Sequence, residues 1–109
     1  MLSKKNRLKK KKEFEEVYKN RKTIAGKLIF LKVKENNLNS SRFGFVVSSK
    51  ISKKAVVRNK IKRRLREIVK FNLDNIRIGI DIIIITKPEI INKDYQEIKN
   101  ELENLLKDI

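Results

Sequence analysis

The chain has 109 residues, enough for one domain with a single core and too few for two. It carries 29 Lys and Arg against 13 Asp and Glu, a net charge of +16, so it repels its own copies and attracts polyanions, whether nucleic acid or an anionic membrane. It has no cysteine and no histidine, which excludes disulfides, zinc fingers and ribbons, thiol nucleophiles, histidine triads and imidazole acid–base chemistry.

Residues 1–12 form a basic leader with Lys4, Lys5, Arg7 and Lys9 to Lys12, readable as a frayed, solvated tail or as an arm for an anionic partner. No apolar segment follows the charges, as it would in a secretory signal. The first helix is expected from Glu13 to near Asn20, because Phe14, Val17 and Tyr18 recur at i, i+3 and i+4. Val17 reads as core. Phe14 and Tyr18, one turn apart among lysines, read either as core or as a stacking platform for unpaired bases.

Residues 27–34 alternate, with Ile29, Leu31 and Val33 on one face and Leu28, Phe30, Lys32 and Lys34 on the other, which predicts a half-buried strand. A polar loop follows, then a second strand over residues 42–48 with Phe43, Phe45 and Val47 turned to the core. The two suggest an antiparallel hairpin. The other face of the second strand carries Gly44, Val46 and Ser48, small enough for a helix or a nucleic-acid strand to approach.

The long helix predicted from residue 54 or 55 to 71 gathers Val57, Ile61, Leu65, Ile68 and Val69 into one sector about a third of the circumference wide. Asn59, Lys62, Arg63, Arg66 and Lys70 lie opposite, with Arg58, Lys60 and Arg64 along the flanks. Pairs such as Arg58/Lys62 and Lys62/Arg66 repel by roughly 0.2–0.5 kcal/mol each, so this helix requires an anionic partner. Ser52 is the expected N-cap, ahead of a first turn that is basic where the helix dipole favours acids.

Residues 82–85 are apolar without alternation, which predicts a central strand covered on both faces; the run is far short of the roughly 20 residues that cross a bilayer, and a cytoplasmic location is expected. Lys87 emerges at the end of this strand and Pro88 stops it. The last helix, residues 93–106, places Tyr95, Ile98, Leu102, Leu105 and Leu106 on one stripe. From residue 89 onward six carboxylates face three lysines, so a polyanion is expected to dock away from this helix.

No catalytic constellation stands out. Glu13, Glu15 and Glu16 are spaced as on a solvated helix face, and Asp74 and Asp81 read more readily as ion-pair partners than as Mg²⁺ ligands, leaving any metal ligands unidentified. Gly26, Gly44 and Gly79 make no phosphate-cradling pattern. Three basic elements agree on nucleic acid: the leader, the Lys32/Lys34 strand face and the long helix. That helix has no helix-turn-helix partner beside it, which favours RNA over DNA.

Residues 58–67, Arg-Asn-Lys-Ile-Lys-Arg-Arg-Leu-Arg-Glu, resemble the signature R-N-R-x-K-R-x-x-R-E of the bacterial ribonuclease P protein component family. NRLKKKKEF followed by Val17-Tyr18 is similar to that family's opening N-R-L-x-x-x-x-x-F-x-x-V-[FY]. RFGFVVSSK resembles its R-x-G-x-x-V-S-K strand, residues 54–57 lead into the signature as in the family, and DIIIITKP resembles D-x-x-x-x-A-R. The resemblance covers nearly the whole chain.

The resemblance implies a single-domain α/β protein, a two-layer sandwich in the order α-β-β-α-β-α. Its small mixed sheet would have a left-handed βαβ crossover, against the usual right-handed rule, and would be similar to domains of some ribosomal proteins. It implies the protein subunit of an endoribonuclease that removes the 5′ leader of precursor tRNA, with cleavage performed by the catalytic RNA. Mg²⁺ would be held mainly by that RNA and not tightly by the protein alone. The implied partners are the catalytic RNA and precursor tRNA, with neither DNA nor membrane among them.

Carried over residue by residue, Arg58, Asn59, Lys60, Lys62, Arg63 and Arg66 would contact the catalytic RNA. Phe14, Tyr18, Lys32 and Lys87 would hold the leader in a cleft between the first helix and the sheet. Lys60 and Lys87 stand where the family has Arg, keeping charge but losing the planar fork, and Ser52-Lys53 replaces a common loop glycine. The competing readings are a non-catalytic, ribosomal-type RNA-binding protein and a membrane-surface protein; the second would need the 57–69 stripe that the core also needs.

Overall fold

The computed structural model describes residues 2–20 and 22–109. Its organising element is β4 (Ile80–Thr86), where the unalternated isoleucines leave no polar face to turn to water. The strand is buried along nearly its whole length. It takes an inner place in a four-stranded sheet of order β1-β2-β4-β3, with β1 at Thr23–Ala25, β2 at Ile29–Glu35 and β3 at Arg42–Val46. β4 runs antiparallel to β2, pairing Leu31 with Ile84, and parallel to β3, pairing Phe43 with Ile82.

The expected hairpin between the second and third of these strands is therefore corrected: β4 lies between them. β2 carries Lys32 and Lys34 on one face and β3 carries Arg42, whereas β4 is apolar on both faces and is taken in between them, with β2 the other inner strand and β1 on its far edge. α2 (Ala55–Asn72) is the crossover joining the parallel pair β3 and β4. β1 is an addition to the expected order. Its three residues, antiparallel to β2, are too short to show alternation.

One sheet face packs under α2 and α3 (Tyr95–Lys107). There Ile29, Leu31, Val33, Phe43, Ile82 and Ile84 meet Ile61, Leu65, Ile68 and Val69 of α2 and Ile98 and Leu102 of α3. The apolar stripe of the cationic helix is thus consumed by the core. α1 (Lys11–Lys19) lies on the other face, with Val17 and Leu8 buried over Ile83 and Phe14, Val46 and Ile85 half-buried around them.

The leader is no frayed tail over its described residues. Leu2 and Leu8 are buried, Leu8 N–H donates to the Phe43 carbonyl at 2.9 Å, and Asn6 Nδ2 donates to the Ser41 carbonyl at 2.8 Å. Residues 2–8 form a strap along β3 that buries Leu2, Asn6 and Leu8 while Lys4 and Lys5 stay exposed. Ser52 also departs from expectation. The cap of α2 is Lys54, whose N–H donates to Ser52 Oγ at 3.2 Å, so the serine closes the turn before the helix instead of its first turn.

Candidate nucleic-acid interface

The α1 face of the sheet is set by register. Gly44, Ile83, Lys32 and Thr23 share one row across the strands, and Val46, Ile85, Phe30 and Ala25 share the next. α1 covers the β3 and β4 end of these rows. A Cβ on Gly44 would lie 2.6 Å from Phe14 Cζ, so the absent side chain is the seat of the Phe14 ring. Of the two occupants considered for that small-residue surface, it is the helix that takes it.

Towards β1 the same face opens. Thr23 and Ala25 are exposed and Phe30 and Lys32 half-buried. Tyr18, one turn beyond Phe14 on the same ridge, is 44% exposed. Partial desolvation pushes its phenol above the ordinary value, so it stays a neutral hydrogen-bond donor at physiological pH. Lys32 Nζ donates to Thr23 Oγ1 at 2.8 Å, and Lys87 Nζ donates to the Gly26 carbonyl at 2.6 Å. Each ammonium is positioned by one bond and retains donors for an incoming acceptor. Phe14, Tyr18 and Lys32 are thus brought to one face, with Lys87 held at its end by the turn between β1 and β2.

A charged lock fixes α1 on the sheet. Arg42 Nε donates to Asp81 Oδ1 at 2.9 Å and Nη2 to Asp81 Oδ2 at 2.7 Å, a bidentate pair, while Nη1 donates to Glu13. The other Glu13 oxygen accepts the N–H groups of Lys9 and Lys10, each at 2.9 Å, at the α1 N-terminus. Those backbone bonds, with Arg42, hold the Glu13 carboxyl below its usual range, and the bond to Asp81 raises the Arg42 guanidinium. Asp81 is an ion-pair partner, the reading favoured for it. Sequence reasoning missed the lock as a unit; its signal lay in the Arg of R-x-G and the Asp opening the last strand motif.

The signature residues stand on α2, on the opposite side of the sheet from α1. Asn59, Lys60, Arg63 and Arg66 are exposed and Arg58 and Lys62 half-buried. Arg58 Nη1 donates to the Ser52 carbonyl at 2.8 Å, tying the helix to the turn that precedes it. Arg66 lies over the Phe45 ring with its guanidinium carbon 5.8 Å from the centroid, a cation–π contact. Among the described residues the ion pairs of this protein involve Lys34, Arg42, Arg77 and Lys93, and no cation of α2. Phe71, 84% exposed, extends the outward face beyond the signature. It escaped notice because it sits outside the motif.

No helix among the described residues is long and apolar enough to cross a membrane. Fold and surface together define a small α/β protein, a four-stranded mixed sheet with helices on both faces and a strongly cationic surface.

The chain belongs to the ribonuclease P protein family, whose sequence pattern matches residues 2–109. It is 42% identical over 105 residues to a ribonuclease P protein component of Clostridium botulinum, covering 95% of this chain and 94% of that one. It is 39% identical over 102 residues to one of Alkaliphilus oremlandii, covering 94% and 89%. The ribonuclease P protein of Thermotoga maritima superposes with a TM-score of 0.87 at 33% identity over 94% of this chain and 96% of that one. That of Staphylococcus aureus gives 0.87 at 34%, covering 94% of each. The protein is accordingly a subunit of a ribonucleoprotein endoribonuclease of tRNA 5′ processing.

Proposed function

We propose that the protein docks on the catalytic RNA of ribonuclease P through the outward face of α2 and holds the single-stranded 5′ leader of precursor tRNA in the trough between α1 and the sheet. Arg58, Asn59, Lys60, Lys62, Arg63 and Arg66 meet the catalytic RNA. Phe14 and Tyr18 stack on leader bases, and Lys32 and Lys87 neutralise leader phosphates. The observation that carries this reading is the contrast in pairing. Glu13 of α1, Asp81 of β4 and Glu101 and Glu103 of α3 are each engaged within the fold, while the α2 cations have no acidic partner among the described residues.

The protein's work is binding and orientation. With leader and catalytic RNA on opposite sides of one rigid sheet, it lowers the repulsion between two polyanions that must approach each other. Mg²⁺, held mainly by the RNA, supplies the ion chemistry of cleavage. Glu13 and Asp81 converge on the Arg42 guanidinium and serve the fold. No residue of this chain is assigned to the scissile phosphate.

Reconstitution tests the reading. The protein is combined with a bacterial ribonuclease P RNA transcribed in vitro, and precursor tRNA cleavage is followed at low Mg²⁺. Cleavage that depends on the protein is expected; none would remove the proposal.

A further inference from the structure

The flank of α2 that carries Lys60 and Arg64 looks across a cleft of about 410 Å³ at the turn after β4 and the start of α3. Its floor is apolar, from Ile61, Ile90 and Ile98, all buried, and the half-buried Tyr95 ring forms one side. Lys60, Arg64 and Lys93 stand at the mouth. Arg64 is half-buried, yet neither it nor Lys60 has a hydrogen-bonded or ionic partner among the described residues, so the full donor set of the guanidinium is open.

The acids nearby are few and placed. Asp94 turns its carboxylate to its own helix, accepting the Glu97 N–H at 2.8 Å, and Glu97 lies 3.8 Å from Lys93. Further along α3, Glu101 accepts the N–H groups of Lys27 and Leu28, and Glu103 accepts from Asn72. Of the acids named, only Asp94 lines the cleft, its carboxylate engaged by its own helix, so the Lys60 and Arg64 flank supplies the open charge at the entrance.

A slot with an apolar floor, an aromatic wall and open cations at its mouth has the chemistry that recognises a splayed-out nucleotide, with the base desolvated and the phosphate paired. Its volume falls in the range of small-ligand sites. We infer that the cleft receives one unpaired nucleotide of the RNA on which α2 docks, with its base against Tyr95 and its phosphate between Lys60 and Arg64. This rests on the reading that the signature helix binds the catalytic RNA. Arg64 and Tyr95 then become RNA-binding residues outside the six signature positions, and the RNA footprint extends from α2 to the first turn of α3.

The test measures Kd for a bacterial ribonuclease P RNA at fixed salt, with melting temperature as the control for folding. Arg64→Ala and Tyr95→Leu are each expected to weaken binding by about fivefold or more, while Tyr95→Phe, which keeps the ring, binds like the parent. A photo-crosslinker on Lys93→Cys is expected to mark one unpaired nucleotide. If the parent protein does not bind the RNA, the docking reading itself falls. If the parent binds and folded Arg64→Ala and Tyr95→Leu bind within twofold of it, the cleft inference is overturned. Crosslinks confined to paired segments overturn it as well, and Arg64→Ala, at a half-exposed helical position, keeps the test open should Tyr95→Leu fail to fold.

Discussion

The Phe14 ring rests directly on the backbone of Gly44, where a methyl group would overlap it. This contact explains why a glycine interrupts a strand that otherwise alternates large side chains, and it seats the first ring of the proposed leader trough. The atoms that would clash belong to the far edge of a ring that can tilt, so Gly44→Ala should displace Phe14 more than it unfolds the protein. A loss of about 1–2 kcal/mol in stability is expected. Affinity for leader-bearing precursor should fall by about tenfold if one stacking contact is lost. Urea denaturation and precursor binding to the reconstituted complex read the two; unchanged leader affinity would mean that the ring's seat does not matter to the substrate.

The aromatic assignment has its own discriminating measurement. Phe14→Ala with Tyr18→Ala should weaken binding of leader-bearing precursor far more than that of mature tRNA, because only the first presents unpaired bases to the trough. Each lost stack is worth about 1–3 kcal/mol. Tyr18→Ala alone should leave folding nearly intact, since the ring is 44% exposed. Equal losses for both ligands would remove Phe14 and Tyr18 from the leader site.

The Arg42 lock makes stability depend on pH. Glu13 has a carboxyl held below its usual range by the Lys10 and Lys9 amides and by Arg42. A carboxylate with a depressed folded-state pKa contributes stability above its unfolded value, and that contribution disappears as the pH falls through the folded value. Glu13→Gln should therefore cost about 1–2 kcal/mol at neutral pH. The gap from the parent should close on acidification. Melting temperatures of both proteins across the acid range check this, and a gap that stays constant down to the acid limit would show that the charge of Glu13 does not stabilise the fold.

What could be read from the chain depended on whether the deciding pattern was local. The 82–85 run announced an inner strand, and the 3.6-residue stripe of α2 announced its buried face, because each pattern sits within a few turns or residues. The adjacency of β2 and β4 could not be read locally: it joins segments far apart in the chain, and the pattern within either strand does not name its neighbour. The leader's burial was masked by lysines around Leu2, Asn6 and Leu8. Arg42 and Asp81 are 39 residues apart, and nothing between them signals a pair. The signature helix was the reverse case, legible as a motif, while the cleft beside it needed α3 to close it.

Because α1 and α2 lie on opposite sides of the sheet, the two proposed RNA surfaces should be separable by salt dependence. Each phosphate contact contributes roughly 0.7–0.9 to the slope of log K against log salt. Arg63→Ala, at an exposed position without an acidic partner, should lower the slope for binding the catalytic RNA by about one and leave the preference for leader-bearing precursor over mature tRNA unchanged. Lys32→Ala should do the opposite, preserving affinity for the catalytic RNA and lowering the slope only for the precursor with a leader. Its ammonium already donates to Thr23 at 2.8 Å, so the substitution also removes that bond, a small and salt-independent change. If both substitutions alter both slopes alike, the two faces do not act as distinct RNA surfaces, and the division of labour between α1 and α2 is wrong.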